Sequence, residues 1–169
     1  MANKVIDVKV EIDDKKLQEG IKKLKKGIGI KVGLLGADGS KKAKGKDGEP
    51  GKLTEATLGA IQEFGTFDGS IPARSFLEMP IREKFLGELK SNPKFRAAVQ
   101  KLDVVRANDY MGITALGVID DAFDSGGWGK WAPLADITKR RKKSDKILID
   151  TGDLRRSINY EHIKGKSDK

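Results

Sequence analysis

The chain has 169 residues, of which 37% are hydrophobic and 35% charged, a lean composition that predicts one small domain with a modest core. Cysteine is absent and there is one histidine, which excludes a disulfide framework and leaves no ligand set for a transition-metal site, so we expect neither metal nor cofactor. The formal net charge is +9, an excess that favours acidic partners, salt-dependent association or simply solubility.

The first part of the chain predicts a strand, a helix and a second strand. Residues 6–12 alternate apolar and charged side chains, as a half-buried strand does. Asp13 or Asp14 can cap a helix whose apolar side chains recur every three or four residues as far as Gly27. Residues 28–34 alternate again and predict the second strand.

The next segment predicts a loop followed by a helix. Residues 36–52 are mostly glycine and lysine, which bury too little apolar surface to offset the entropy of ordering, so we expect a mobile hairpin or loop. A helix then begins at Thr54 as its cap and ends at Gly65. Its buried face is predicted to carry Ile61 and Phe64.

Two more helix starts are marked by proline. After a loop at residues 66–74, a helix is predicted over residues 74–90 with Pro80 in its first turns. Asn92 followed by Pro93 combines a capping side chain with a first-turn proline, which is a strong signal for the next helix.

The longest apolar stripe runs from Phe95 to Phe123, and its phase slips near residues 108–112. The slip predicts either one long kinked helix or two abutting helices. Gly126 and Gly127 are predicted to end this part.

The C-terminal part predicts short elements. Residues 126–146 are expected to be extended, with at most a helical turn at residues 135–141. A strand at 147–149, a short helix at 150–157 and a last strand at 158–163 follow.

These elements predict a single α+β domain over residues 1–169. We expect a small, mostly antiparallel sheet packed by one long and several shorter helices, with a flexible loop at 36–52 and a short flexible tail at 164–169. No stretch approaches the roughly 20 apolar residues of a membrane span, and the N-terminus has no apolar signal region. We therefore expect a soluble protein made in a cytoplasm, with no membrane partner.

Asp150, Thr151 and Gly152 form the triplet with which an aspartic protease presents its catalytic carboxylate. Such a protease needs two of these loops face to face and most of its β-structure after the loop, whereas only residues 153–169 follow here. We therefore interpret Asp150 and Asp153 as a capping pair for a short helix. The glycine-rich stretches also miss the phosphate-loop and dinucleotide spacings, so we expect no enzyme and no catalytic residue.

Trp128 and Trp131 lie beside a basic run, and single-strand nucleic-acid binders use aromatic and basic residues for stacking and phosphate contacts. No aromatic residue interleaves with the run, which favours a solvated surface with one tryptophan anchoring the segment to the core. A small basic nucleic-acid-binding protein stays open as an alternative function. The residues of the run that could face DNA are Lys139, Arg140, Arg141, Lys142 and Lys143.

Four motif elements follow one another at ordered separations. They are Glu63, Phe64 and Gly65; Ile71, Pro72, Ala73, Arg74, Phe76 and Leu77; Trp131, Pro133, Leu134 and Thr138; and Thr151, Gly152, Leu154 and Ser157. In this order they resemble the virion-morphogenesis or tail-completion proteins of tailed bacteriophages, typified by the Mu-like phages and related to minor tail and head-tail joining proteins. The resemblance covers about residues 56–160, and Ser75 stands where the family has a second proline.

The resemblance implies a neck component of the virion, made in the host bacterial cytoplasm, that caps the tail and joins it to the filled head without catalysis. It implies a ring of copies, sixfold like the tail, which contacts other neck and connector proteins and tail terminator or tail tube proteins. The clustered positive charge separately suggests non-specific contact with packaged DNA. Phe64 and Phe76 could equally be core residues. The expected subunit or partner contacts are Glu63, Phe64, Gly65, Pro72, Arg74, Phe76, Trp131, Arg155 and Arg156.

Overall fold

A computed structural model describes residues 14–27, 29–44, 49–141 and 145–163. The predicted strand over residues 6–12, the tail at 164–169 and two members of the basic run, Lys142 and Lys143, lie outside these ranges. The described part of the chain has an α+β fold. Its elements are α1 (Asp14–Gly27), β1 (Ile30–Gly33), α2 (Gly36–Ser40), β2 (Lys42–Lys44), β3 (Pro50–Thr54), α3 (Glu55–Phe64), α4 (Glu78–Pro80), a π-helical turn (Ile81–Phe85), α5 (Leu86–Ser91), α6 (Pro93–Gln100), α7 (Val104–Ser125), α8 (Asp136–Arg141), α9 (Asp153–Arg156) and β4 (Asn159–His162).

The described strands form two antiparallel pairs, β1 with β4 and β2 with β3. In the first pair Ile30 lies opposite His162 and Gly33 opposite Asn159, so the first and last described strands pair with each other. The second pair lies largely within residues 36–52, where a mobile hairpin or loop was predicted, and α2 occupies the start of the same segment. Helix α7 packs across β1 and β4, and this contact closes the domain.

Local capping explains where several helices begin and end. The Thr54 hydroxyl accepts a hydrogen bond from the amide of Thr57 at the start of α3, and the Asn92 side chain accepts from the amides of Lys94 and Phe95 at the start of α6. Gly126 ends α7 in the left-handed conformation, with φ 64°. These predicted boundaries are confirmed.

The long apolar stripe is split into two abutting helices, one of the two predicted arrangements, but the break lies earlier than residues 108–112. It falls between α6 and α7, where Leu102 has φ 56° and the Asp103 side chain accepts a hydrogen bond from the amide of Arg106. The positive φ angle of Leu102 stops α6, and the cap at Asp103, the next residue, starts α7 at Val104. The slip near 108–112 is accommodated without a break in α7.

Two local predictions are wrong. Residues 147–149 form a turn instead of a strand, because Leu148 adopts φ 61°, which an extended strand cannot contain. Phe64 is 73% exposed rather than buried. The face of α3 that packs inward carries Glu55, Gly59 and Glu63, which are spaced four apart, and Phe64 lies about 100° round the helix from Glu63.

The core is centred on three aromatic rings. Phe76 is 0% exposed, and its ring centroid lies 5.6 Å from that of Phe123, which in turn lies 5.6 Å from Trp131 in an edge-on arrangement. Met79, Ile119, Ala122, Leu154 and Ile158 complete this cluster. The C-terminal segment is therefore anchored against α7. None of the helices in the described part of the chain combines the length and apolar character needed to cross a membrane.

Two glycines of α7 provide a matched test of how closely this helix approaches β4. A Cβ on Gly112 would lie 2.3 Å from the Tyr160 ring, whereas a Cβ on Gly117 would meet nothing within 4 Å among the described residues. We expect Gly112→Ala to lower the free energy of unfolding by about 1–3 kcal/mol, because the ring must move. Gly117→Ala should raise it by about 0.5–1 kcal/mol through helix propensity. Urea unfolding measures both, and changes of the same sign would contradict the close contact.

Candidate functional site

Three of the four motif elements line one open groove of about 520 Å³, and the first adjoins it through Gln62, the neighbour of Glu63. Helix α3 and the loop at residues 66–74 form one wall, and residues 133–138 with the Thr-Gly turn form the other. Each element contributes to the lining through its own residues or an immediate neighbour. Stretches separated by tens of residues in the sequence are therefore neighbours in the fold.

Glu63 joins the first element to the second. Its side chain is buried, and its carboxylate accepts hydrogen bonds from the Ser75 hydroxyl at 2.6 Å and from the amides of Phe76, Leu77 and Glu78 at 2.7, 2.9 and 3.0 Å. Negative charge is favourable at the amide-rich start of a helix. Glu63 therefore caps the helical segment that follows residue 77 and holds residues 74–77 in a non-helical loop, which is why that segment begins later than predicted.

Arg74 and Trp131 join the second element to the third. The buried Arg74 guanidinium donates from Nε to the carbonyl of Ala132 at 2.8 Å and from Nη2 to that of Pro133 at 3.0 Å, and burial lowers the pKa of Arg74. Nε1 of Trp131 donates to the carbonyl of Ser75 at 3.0 Å. These bonds fix the Trp-Ala-Pro-Leu segment against the loop, so both predicted contact residues act inside the chain.

The Thr-Gly turn is built by its own side chains. The Thr151 hydroxyl donates to the Asp153 carboxylate at 2.7 Å and accepts from the Asp153 amide at 3.3 Å. Gly152 adopts φ 80°, a conformation that favours glycine. The hydrogen bond from Thr151, and then that from Arg156, hold the pKa of Asp153 below its ordinary value.

The predicted capping pair of Asp150 and Asp153 is not formed. Helix α9 spans only Asp153–Arg156, with Gly152 at its N-cap position and no capping side chain. Asp150 is exposed at the edge of the groove. The left-handed Gly152 changes the direction of the chain directly before the helix, so the residue at the cap position carries no side chain.

The two arginines of α9 differ in their surroundings. Arg155 donates from Nε to Asp120 at 2.7 Å and from Nη1 to Asp124 at 2.7 Å, so it points to α7 and not outward as expected. These ion pairs raise the pKa of Arg155 and lower that of Asp124. Arg156 is exposed and donates to Asp153 and to the carbonyl of Thr151. Arg155 thereby ties the last motif element to the long helix.

The exposed part of the predicted site is small. Phe64 and Pro72 are exposed, whereas Glu63, Arg74, Phe76 and Trp131 are buried. Gly65 ends α3 with φ 76°, and a Cβ there would lie 2.8 Å from the backbone of Ala73. Phe67, which the sequence interpretation did not include, is fully exposed at the tip of the same loop.

The described part of the basic run lies on α8. Lys139 and Arg140 are exposed. The Lys139 ammonium lies 3.6 Å from the Asp136 carboxylate of the same helix. Such a surface ion pair contributes little to the stability of the fold. Arg141 is the last residue of α8. The helix borders the groove through Thr138.

Glu55 is a groove residue that sequence reasoning missed. Its side chain is 4% exposed, and Oε2 has no hydrogen-bond partner among the described residues. Burial, and then the charge of Asp153, raises the pKa of Glu55, while Lys44 opposes this shift. A glutamate directly after a capping threonine is normally solvated. The signal that could have found it is the spacing of four that places Glu55, Gly59 and Glu63 on one helix face.

Among residues 14–27, 29–44, 49–141 and 145–163, no group of three or more histidine, cysteine, aspartate or glutamate side chains is arranged to hold a metal ion. The groove instead combines apolar walls with a few charged groups, which is a lining suited to binding. Comparison with protein-family models, curated proteins and solved structures gives no significant match to this chain.

Proposed function

We propose that this chain is a structural virion protein of a tailed phage, a tail-completion or neck subunit that caps the tail and mediates head-tail joining without catalysis. The observation that carries the proposal is that three of the four motif elements line one groove, while the first adjoins it through Gln62. Each element was matched from the sequence alone. Their assembly into one continuous surface is what a shared contact with a partner requires.

The polar motif residues support an architectural role for the region beneath this surface. Glu63, Arg74, Trp131 and Arg155 direct their hydrogen bonds to groups of their own chain. Such bonds fix a loop in one conformation before any partner arrives, which lowers the entropic cost of association. The predicted contacts at these residues are therefore proposed to act through positioning.

The exposed phenylalanines are proposed to make the direct contact. Phe64 is 73% exposed, Phe67 is fully exposed, and Pro72 lies in the same loop region. Large aromatic side chains are enriched at the centre of protein interfaces and contribute strongly there. We propose that they contact a second copy of this chain in a sixfold ring, which in turn meets connector, tail terminator or tail tube proteins.

A second candidate function is that of a small basic nucleic-acid-binding protein. Lys139 and Arg140 are exposed on α8, and the formal net charge is +9. Contacts between such side chains and phosphate are independent of base sequence and weaken steeply with salt. Within the first proposal, the same side chains would face packaged DNA.

Sedimentation velocity and negative-stain images of the purified chain test the ring. We expect ring-shaped oligomers, and a Phe64→Ser, Phe67→Ser double variant should weaken their formation about tenfold or more. Leu86→Ser is the control, because Leu86 is also exposed, at 56%, but lies on α5. A chain that stays monomeric and binds single-stranded oligonucleotides with a steep salt dependence would favour the second function.

A further inference from the structure

The groove contains a buried carboxylate, one oxygen of which has no hydrogen-bond partner among the described residues. Glu55 lies at the first position of α3, is 4% exposed and lines the groove, and its Oε2 atom has no hydrogen-bond partner among the described residues. Buried carboxylates are otherwise paired or hydrogen-bonded, because removing an ionised group from water is costly. Glu63, on the same helix face, shows the usual arrangement with four donors. Glu55 is therefore the group in this region that lacks a counterpart.

The other charged groups of the groove are already engaged or lie at its edge. The Lys44 ammonium lies 3.5 Å from Asp153, and the Arg74 guanidinium donates to two carbonyls. Asp150 is exposed. Three carboxylates and two cations thus line the groove, so it is locally acidic on a chain whose formal net charge is +9.

The walls of the groove are apolar. Leu58 from α3, Ile71 and Pro72 from the loop, and Leu134 and Leu148 from the opposite wall all line it. An open groove with apolar walls and a buried carboxylate in its lining matches a lysine or arginine side chain, whose aliphatic stem packs on apolar surface while its cationic end forms an ion pair.

We propose that the groove receives a lysine or arginine side chain from a second copy of this chain, and that its cationic end pairs with Glu55. This inference rests on the proposed ring. A second copy is the occupant that charge complementarity favours, since the chain carries 34 lysines and arginines against 25 aspartates and glutamates. A contact between an acidic groove on one copy and a basic surface on the next joins two different surfaces, which is the arrangement that closes into a ring.

The deciding variant is Glu55→Gln, which keeps the shape of the side chain and removes its charge. We expect self-association, measured by sedimentation velocity of the full chain, to weaken about tenfold or more. The isolated monomer should melt at the same temperature or higher at neutral pH, because the variant no longer buries a charge. A residue with a merely structural role would show the opposite, a lower melting temperature with unchanged association.

Glu88→Gln is the matched control, since Glu88 is exposed on α5 and also carries one negative charge. Any effect of Glu88→Gln should vanish at high salt, whereas that of Glu55→Gln should persist because a buried pair is screened less. Equal association of Glu55→Gln and the unmodified chain would overturn the inference and leave the ring standing. A chain that never self-associates would also overturn the inference about the groove. Whether virion assembly requires this protein is a separate question, which electron microscopy of phage particles answers.

Discussion

Glu63→Ala should destabilise the fold by about 3–5 kcal/mol, one of the largest effects available to a single substitution here. The Glu63 carboxylate accepts four hydrogen bonds, from the three consecutive amides of residues 76–78 and from the Ser75 hydroxyl. Removing the acceptor leaves these groups without partners in a region that water reaches poorly. Loop residues 74–77 would lose their fixed conformation together with the start of α4.

Equilibrium unfolding in urea measures this effect, and Glu78→Ala is its control. Glu78 is exposed and pairs with Arg82 one helical turn away, so its loss should cost less than about 1 kcal/mol. Glu63→Gln should fall between the two, because it keeps one acceptor oxygen but replaces the other with an NH2 group, which donates and cannot accept from the amides. A Glu63→Ala variant within about 1 kcal/mol of the unmodified chain would contradict the capping role.

Phe76→Ala should also destabilise the fold by about 3–5 kcal/mol, because it opens a cavity at the centre of the core. The Phe76 ring is 0% exposed and contacts Phe123, which in turn packs against Trp131. The fluorescence of Trp131 should shift to longer wavelength as water gains access. Phe64→Ala is the matched control, since Phe64 is 73% exposed and its loss should change stability by about 0.5 kcal/mol or less.

Comparable losses from the two phenylalanine variants would contradict the assignment of one ring to the core and the other to a contact surface. The sequence alone leaves both interpretations open for each ring, since both residues lie in the motif elements. The difference arises because Phe76 follows the loop that Glu63 fixes, whereas Phe64 ends a helix whose inner face is occupied by Glu55, Gly59 and Glu63.

The parts of the fold that could be predicted are those determined by neighbouring residues. Thr54, Asn92 with Pro93, and Gly126 act on amides or carbonyls within a few positions of themselves, so their effect is visible in the sequence. The last strand, predicted over residues 158–163, is confirmed as β4. Turn and cap signals of this kind do not depend on which distant segment packs against them.

The predictions were wrong where contacts with distant segments determine the backbone conformation. Residues 147–149 have an apolar run typical of a strand, but they pass along the core cluster and turn at Leu148. Asp150 is of a residue type favoured at helix N-caps, but Gly152 occupies the N-cap position of α9. The break before α7 depends on Leu102, whose positive φ angle cannot be read from its type.

The sequence indicated stretches that come together in the fold, but not the contacts of their side chains. Three of the motif elements line one groove, and the first adjoins it through Gln62. Glu63 and Arg74 were expected to contact other protein subunits. Both side chains instead form hydrogen bonds within the chain, Glu63 with residues 75–78 and Arg74 with the carbonyls of Ala132 and Pro133. Such long-range hydrogen bonds have no local sequence signature.

The proposed role connects these observations physically. In this role, internal hydrogen bonds hold the loop in one conformation. Phe64 at the end of α3 and Phe67 in the loop, both exposed, would contact a neighbour, and the groove would offer Glu55 to a basic side chain. Apolar contact would supply most of the affinity, and the buried charge would select the orientation. Repetition of one such contact around an axis produces a ring without any chemical step.

The proposal that this chain completes a phage tail is tested most directly by electron microscopy of particles produced by infection in its absence. We expect filled heads and separate tails, which join into infectious virions when the purified chain is added. Fully joined, infectious particles formed without the chain would contradict the proposal.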